Sequence, residues 1–152
     1  MADNTWRRRT KTAIGVGAVS ALLTLLAGGE APAMPPLPTA AQLAHMDVVA
    51  VPIAPSEVAA FLDKPTSTPI PVSESQAIAA VRTHDSLAAS PFAAELVMWS
   101  MPGTTLHQRQ PAWILTWQQP FYGPEAGTWL YTLSVVSAVT GTVLMVTGID
   151  RG

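Results

Sequence analysis

The chain of 152 residues has no cysteine. That excludes a disulfide framework, a thiolate zinc site, a thiol nucleophile and a lipid-modified cysteine. Charge is scarce as well: Asp, Glu, Lys and Arg together make 12% of the residues, about half the share of an ordinary globular domain. Between Leu96 and Ile149 the only formal charges are Arg109 and Glu125. A stretch that poor in charge is buried sheet, or sheet with a covered face. Basic residues are missing where a nucleic acid would need them. Arg7, Arg8, Arg9 and Lys11 all precede Ala13, and from Met34 onward four bases (Lys64, Arg82, Arg109, Arg151) stand against eight acids, a balance of 4 − 8 = −4. No basic stripe is left to neutralise phosphates, which argues against nucleic-acid binding.

Patterns of catalysis are missing too. There is no G-x-S-x-G elbow, no P-loop, and no G-x-G-x-x-G after a strand; Gly15-x-Gly17 belongs to an apolar N-terminal run. The histidines, His45, His84 and His107, have acidic neighbours only in His45 with Asp47 and in the adjacent His84-Asp85. One such pair is too little for zinc. His84 falls near a predicted helix C-terminus, where a protonated imidazole suits the dipole. Nothing brings Glu95 and Glu125 together as an acid–base pair. The expectation is a non-enzymatic protein with no cofactor and no metal.

What is present begins with a leader. Arg7-Arg8-Arg9-Thr10-Lys11 is followed by the fifteen apolar or small residues Ala13 to Ala27, and Ala31-Pro32-Ala33 places small residues at −3 and −1 of a cut before Met34. That order is the signal-peptide pattern. The run is short for a membrane span, which needs roughly 20 apolar residues. Cleavage and retention as a signal anchor, with its basic end in the cytoplasm, are both compatible with residues 1–33. A buried helix of a cytosolic protein leaves the four bases unexplained. The triple arginine lacks the apolar residue expected after a twin-arginine pair.

Residues 34–71 read as a Pro/Ala-rich linker. Eight of the fourteen prolines lie between Pro35 and Pro71. Within it, Asp47 to Ile53 suits an edge strand, since Pro52 cannot donate to a ladder. Ser56 to Leu62 suits two helical turns capped by Ser56. These short elements either dock on the following domain or stay disordered.

Residues 72–149 carry the fold signals. Ser73-Glu74-Ser75-Gln76 is a capping box, with Val72 and Ala77 as a hydrophobic staple. Ala77, Ile78, Ala80 and Val81 make an apolar stripe at helical spacing, and the helix is expected to end near Asp85 to Leu87. Strands follow at Glu95–Met101 and Ala112–Gln118, separated by Pro- and Gly-containing loops. Trp129 to Thr147 reads as a hairpin turning at Gly141. Trp129, Tyr131, Leu133 and Val135 share one face of it and are the expected core face; Leu130, Thr132, Ser134 and Val136 share the other. The predicted class is α+β: one amphipathic helix packed on a small antiparallel sheet.

Val72 to Ile78, VSESQAI, resembles the helix opening of a PepSY-type domain, and Ser137 to Leu144, SAVTGTVL, is similar to that family's closing hairpin. Trp113 to Trp117 falls where the family has its Tyr-x-Val-type strand. The resemblance covers about residues 72–148. Ser137 stands where the family has an acidic residue, and the loops at 102–111 and 120–127 are longer than its minimal pattern. The resemblance implies an exported or cell-surface bacterial module without catalytic residues, regulating an envelope peptidase or binding a peptide through its sheet. Contact with the membrane is expected only through the N-terminal segment.

The aromatics supply candidate contact residues. Trp99, Trp113 and Trp117 all fall in predicted strands; Trp113 and Trp117 share a face, roughly 13 Å apart at strand rise. On a bare face they form a platform for peptide, glycan or a partner protein; on a covered face they are core. His107 and Arg109, in the loop Thr104–Gln110, are the other candidates. A structural or adhesive cell-surface module, using exposed tryptophans for wall sugars, is the competing expectation.

Overall fold

The computed structural model describes residues 34–104, 108–118 and 129–150. The elements run α1 (Ala40–His45), β1 (Val49–Pro52), α2 (Pro55–Phe61), α3 (Glu74–His84), β2 (Ala93–Ser100), β3 (Gln110–Trp117), β4 (Trp129–Ser137) and β5 (Val143–Asp150). The five strands form one antiparallel sheet in the order β1-β2-β3-β4-β5. Each strand therefore pairs with its neighbour in sequence, even β1 with β2, whose connection carries α2 and α3. The class is α+β, with three described helices: the expected α3, α2 where two helical turns were expected, and α1, which was not expected. The leader falls outside the described residues. Among the described residues no helix is long and apolar enough to cross a membrane.

Helix α3 forms as its sequence dictates. The Gln76 N–H donates to Ser73 Oγ at 3.3 Å, and the Ser73 N–H donates to Gln76 Oε1 at 2.8 Å. This reciprocal pair satisfies two of the donors that a helix start leaves over. Glu74 lies in the first turn and Arg82 and His84 in the last, each favoured by the dipole. Ala77 and Val81, four apart, are buried on the sheet together with Val72, Leu115, Trp117 and Val136. Val72 and Ala77 thus meet in one cluster, as a staple should. The helix ends at His84, with Asp85 as C-cap.

Helix α2 sits on the same side, where Val58 packs with Leu96 and Ala138. Its N-terminus corrects the sequence reading. The N-cap is Ala54, not Ser56, and Pro55 occupies the first turn. The Glu57 carboxylate accepts the Ala54 N–H at 2.7 Å. A proline with its fixed φ and an acid three residues past the cap replace the serine hydroxyl.

The other side of the sheet is covered by residues 34–48. Leu43 of α1 and the following Val48 pack on Val97, Trp99, Ala112, Ile114, Leu133, Val135 and Ile149, with Leu37 and Met46 beside them. Helix α1 has its own capping box: the Gln42 N–H donates to Thr39 Oγ1 at 3.2 Å and the Thr39 N–H to Gln42 Oε1 at 2.9 Å. Buried Thr116 donates its hydroxyl to the Pro36 carbonyl at 2.9 Å, tying this segment to the end of β3. The stretch read as a linker therefore contributes α1, β1 and α2 to the compact unit that begins at Met34.

With both sides covered, both faces of β4 are core. Leu133 and Val135 are buried on one side, Val136 and the polar Thr132 and Ser134 on the other. The expectation of a single core face is corrected accordingly. Ser134 is tolerated there because its hydroxyl lies 2.9 Å from the Trp117 indole nitrogen, which donates to it. The turn is built as expected: Gly141 has φ +75°, a conformation that costs a residue with a Cβ. Ser137 Oγ accepts the N–H groups of Val139 and Thr140 at 3.2 and 3.1 Å, and the Gly141 N–H reaches the Ser137 carbonyl at 2.9 Å. A serine hydroxyl thus gathers the turn amides as a short acidic side chain would.

Candidate functional site

Trp99, Trp113 and Trp117 are packing residues. Trp99 and Trp117 have no exposed surface, on opposite sides of the sheet. Trp113 shares the α2–α3 side with Trp117 and is half-buried; its indole N–H donates to the Val72 carbonyl at 2.8 Å. The same Val72 donates its N–H to the Ala138 carbonyl at 3.1 Å. The segment before α3 is thereby pinned between β3 and the β4–β5 turn. The sequence left these indoles as platform or core; Trp99 and Trp117 are core, and Trp113 is a half-buried anchor. The platform fails because α2, α3 and the 34–48 segment lie over the faces that would have carried it.

Arg109 is exposed in the bend before β3. His107 lies outside the described residues. No group of three or more His, Asp or Glu that could hold a metal occurs among the described residues. Arg82 stacks over the Phe92 ring, 5.2 Å from its centroid, and bonds the Ser90 hydroxyl. That cation is occupied in fixing the approach to β2.

The two sheet edges remain. Half of an edge strand's backbone N–H and C=O groups point away from the sheet, a template for another strand. Strand β1 has four residues and ends in Pro52, which has no N–H. Its Val49 and Val51 are exposed, with α1 and α2 at either end of the strand. Strand β5 has eight residues, no proline, and no formal charge before Asp150. Its ladder with β4 runs without interruption from Met145 opposite Val135 to Ile149 opposite Tyr131. On either side the register shifts: Leu144 is the extra residue between Val143 and Met145, and Leu130 is extra on β4 near the far end. The bulge at Leu144 re-aims the start of β5. The five regular residues beyond it face outward with nothing among the described strands to pair them.

Beside that edge is a depression of ≈ 240 Å³ lined by His84, Val143, Leu144, Met145 and Val146. It exists because α3 lies over β3, β4 and only part of β5. Val143 and Val146 oppose Val136 and Ser134 and so project to the α3 side. Val146 remains 38% exposed, beyond the end of the helix. The site is therefore a strand edge with a shallow hollow, closed at one end by the last residue of α3.

None of these residues was among the sequence candidates. His84 was read only as a helix-end residue. A signal did exist: the last strand of a meander is an edge unless the sheet closes, and this last strand has almost no charge to protect it. No protein-family model matches the chain, and no curated protein or solved structure matches it either. The functional reading rests on the geometry of the edge and its hollow.

Proposed function

We propose that this chain is an exported, non-catalytic binding module that takes an extended peptide segment onto the outer edge of β5 by strand addition. The segment belongs to an envelope peptidase or to a peptide such an enzyme handles. The observation that carries this reading is the edge from Met145 to Ile149, paired on its outer side by no described strand, regular in register, free of proline and uncharged. Main-chain hydrogen bonds supply affinity in this mode, and side chains flanking the edge supply selectivity. A glycan-binding module on exposed tryptophans has no such support, since Trp99 and Trp117 are buried. Export is supported by the basic segment Arg7–Lys11 followed by the apolar run from Ala13.

Two sets of synthetic octapeptides, N-methylated at odd or at even positions, test the backbone contact. Strand addition uses alternate amides, so one set binds and the other does not. Deuterium uptake at Met145–Ile149 falls with the binding set. Equal binding by both sets, or unchanged exchange along β5, overturns the reading. Peptidase activity of an envelope extract, measured with and without the purified protein, then tests the regulatory role.

A further inference from the structure

We propose that the added strand is held by the peptide groups of Val146 and Gly148 alone, so that the site on β5 is short and reads backbone rather than side chains; this rests on the strand-addition reading above. The phase of the ladder assigns these residues. In an antiparallel sheet the backbone groups of successive residues point alternately to the strands on either side. The Ala138 N–H donates to the Pro111 carbonyl at 3.0 Å, toward β3. The Ser137 N–H donates to the Thr142 carbonyl at 2.9 Å, toward the start of β5. Odd-numbered residues of β4 therefore bond β5, and even-numbered ones bond β3. Val135, Leu133 and Tyr131 stand opposite Met145, Thr147 and Ile149. Those three β5 residues commit their N–H and C=O groups to β4. Val146 and Gly148, opposite Ser134 and Thr132, turn theirs outward.

The register shifts set the limits. At one end the extra Leu144 interrupts the alternation; at the other, the shift between Tyr131 and Trp129 lies past Ile149. Gly148 itself supports the assignment. It lies inside the regular ladder and its φ is not positive, so neither a bulge nor a left-handed backbone calls for a glycine there. A glycine inside a strand also serves the close approach of another backbone. The Gly148 carbonyl accepts the Thr147 hydroxyl at 3.4 Å, a long contact that leaves a second lone pair for an incoming N–H. The occupant is an extended peptide with unblocked amides at the two bonding residues. Proline between them is accepted, and proline at either is excluded. The bonds run from main chain to main chain, so no single side chain defines the class.

The test uses the full chain. In the free protein, amide exchange followed by NMR is at least about tenfold faster at Val146 and Gly148 than at Met145, Thr147 and Ile149. Val146→Pro and Gly148→Pro each remove an outward donor, whereas Thr147→Pro removes one bonded to β4. All three variants share the cost of a fixed φ, so Thr147→Pro shows the largest drop in urea midpoint. A capped octapeptide of alternating threonine and valine slows exchange at Val146 and Gly148 and leaves the other three amides unchanged. Val146→Pro and Gly148→Pro each weaken its binding about tenfold, the scale of one lost hydrogen bond. Val146→Thr, which keeps the amide and the side-chain shape, binds as the parent does. Equal exchange along residues 145–149 of the free chain overturns the two-residue site and leaves strand addition standing. Undiminished binding by both outward proline variants does the same. An octapeptide that neither binds nor slows exchange at the two amides overturns strand addition, and the site with it.

Discussion

The two faces of the sheet are buried to the same degree by unlike covers. On one face Leu115, Trp117 and Val136 lie under α3, a capped helix of eleven residues with an apolar stripe. On the other, Trp99, Ile114, Leu133 and Val135 lie under a proline-bearing segment whose only regular structure is the six-residue α1. Burial of a sheet face requires apolar surface and satisfied backbone, not a long helix. The irregular cover meets the first need with Leu37, Leu43, Met46 and Val48. It meets the second with the Thr39–Gln42 box and the Thr116–Pro36 bond.

Truncating the central indole on each face gives the largest effect. Trp99→Ala and Trp117→Ala are each expected to lower unfolding free energy by about 3–5 kcal/mol, measured by urea titration. Loss of Trp117 also strips the buried Ser134 hydroxyl of its donor, so its cost falls at the upper end. A Trp99→Ala cost below about 1 kcal/mol would mean that the 34–48 cover collapses into the vacancy at little expense, unlike a packed core.

The difference between the covers also explains what could be read from the sequence. Helix α3 was legible because its signals are local: a serine, a glutamine three residues on, and apolar residues at 3.6 spacing. The turn at Gly141 was legible for the same reason. The docking of residues 34–48 was not, because Leu37, Leu43 and Val48 have no common period. Their destination, the far face of β2, β3 and β4, is set by long-range pairing. The polar Thr132 and Ser134 suggested a face of lesser burial; only the placement of Trp117 across the sheet shows why a hydroxyl is needed there. The candidate site was missed on similar grounds. An edge is a property of strand order, and the hollow beside it depends on how far α3 extends over β5. Tryptophans drew attention because they are large, and size is what places Trp99 and Trp117 in the core.

The covers themselves can be loosened. Leu43 of α1 is 8% exposed and Val81 of α3 is 1% exposed. Leu43→Ala is expected to cost about 2–4 kcal/mol and Val81→Ala about 2 kcal/mol, from the methyl groups removed plus the cavity left. Limited proteolysis separates local from global loss. If the first cover opens independently, cleavage of Leu43→Ala concentrates between Met34 and Asp47 while the urea midpoint holds. If it is integral to the core, the midpoint falls and cleavage spreads. The integral outcome is expected, since Leu43 and Val48 contact the same cluster as Trp99.

Each cover is also tied to the sheet by a side-chain bond, and these two ties are a finer comparison. Thr116→Val removes the donor to Pro36, and Trp113→Phe removes the donor to Val72. Each is expected to cost about 1 kcal/mol, the net worth of one hydrogen bond, with a further packing loss for the smaller ring at Trp113. The ties lie on opposite faces and share no partner, so the double variant should sum the two single costs within about 0.5 kcal/mol. A larger coupling would mean that the two covers sense one another through β3.

The smallest expected difference lies in the two capping boxes, which share one chemistry on helices of unequal length. Ser73→Ala removes a cap from eleven residues that pack through Ala77 and Val81; Thr39→Ala removes one from six residues that pack through Leu43. Loss of a cap hydroxyl costs about 1 kcal/mol where the helix must remain folded. Helix α3 cannot fray without exposing Trp117 and Val136, so that cost should appear in full in the global urea midpoint. Helix α1 is far shorter than the roughly 12–15 residues at which isolated helices become marginal, and Leu43 is its only buried residue. Thr39→Ala should therefore act mainly by local opening, raising amide exchange across α1 by about fivefold while the global midpoint moves less than in Ser73→Ala. Equal shifts of the midpoint would show α1 to be as firmly part of the cooperative unit as α3, and the contrast between the two covers would then be one of shape alone.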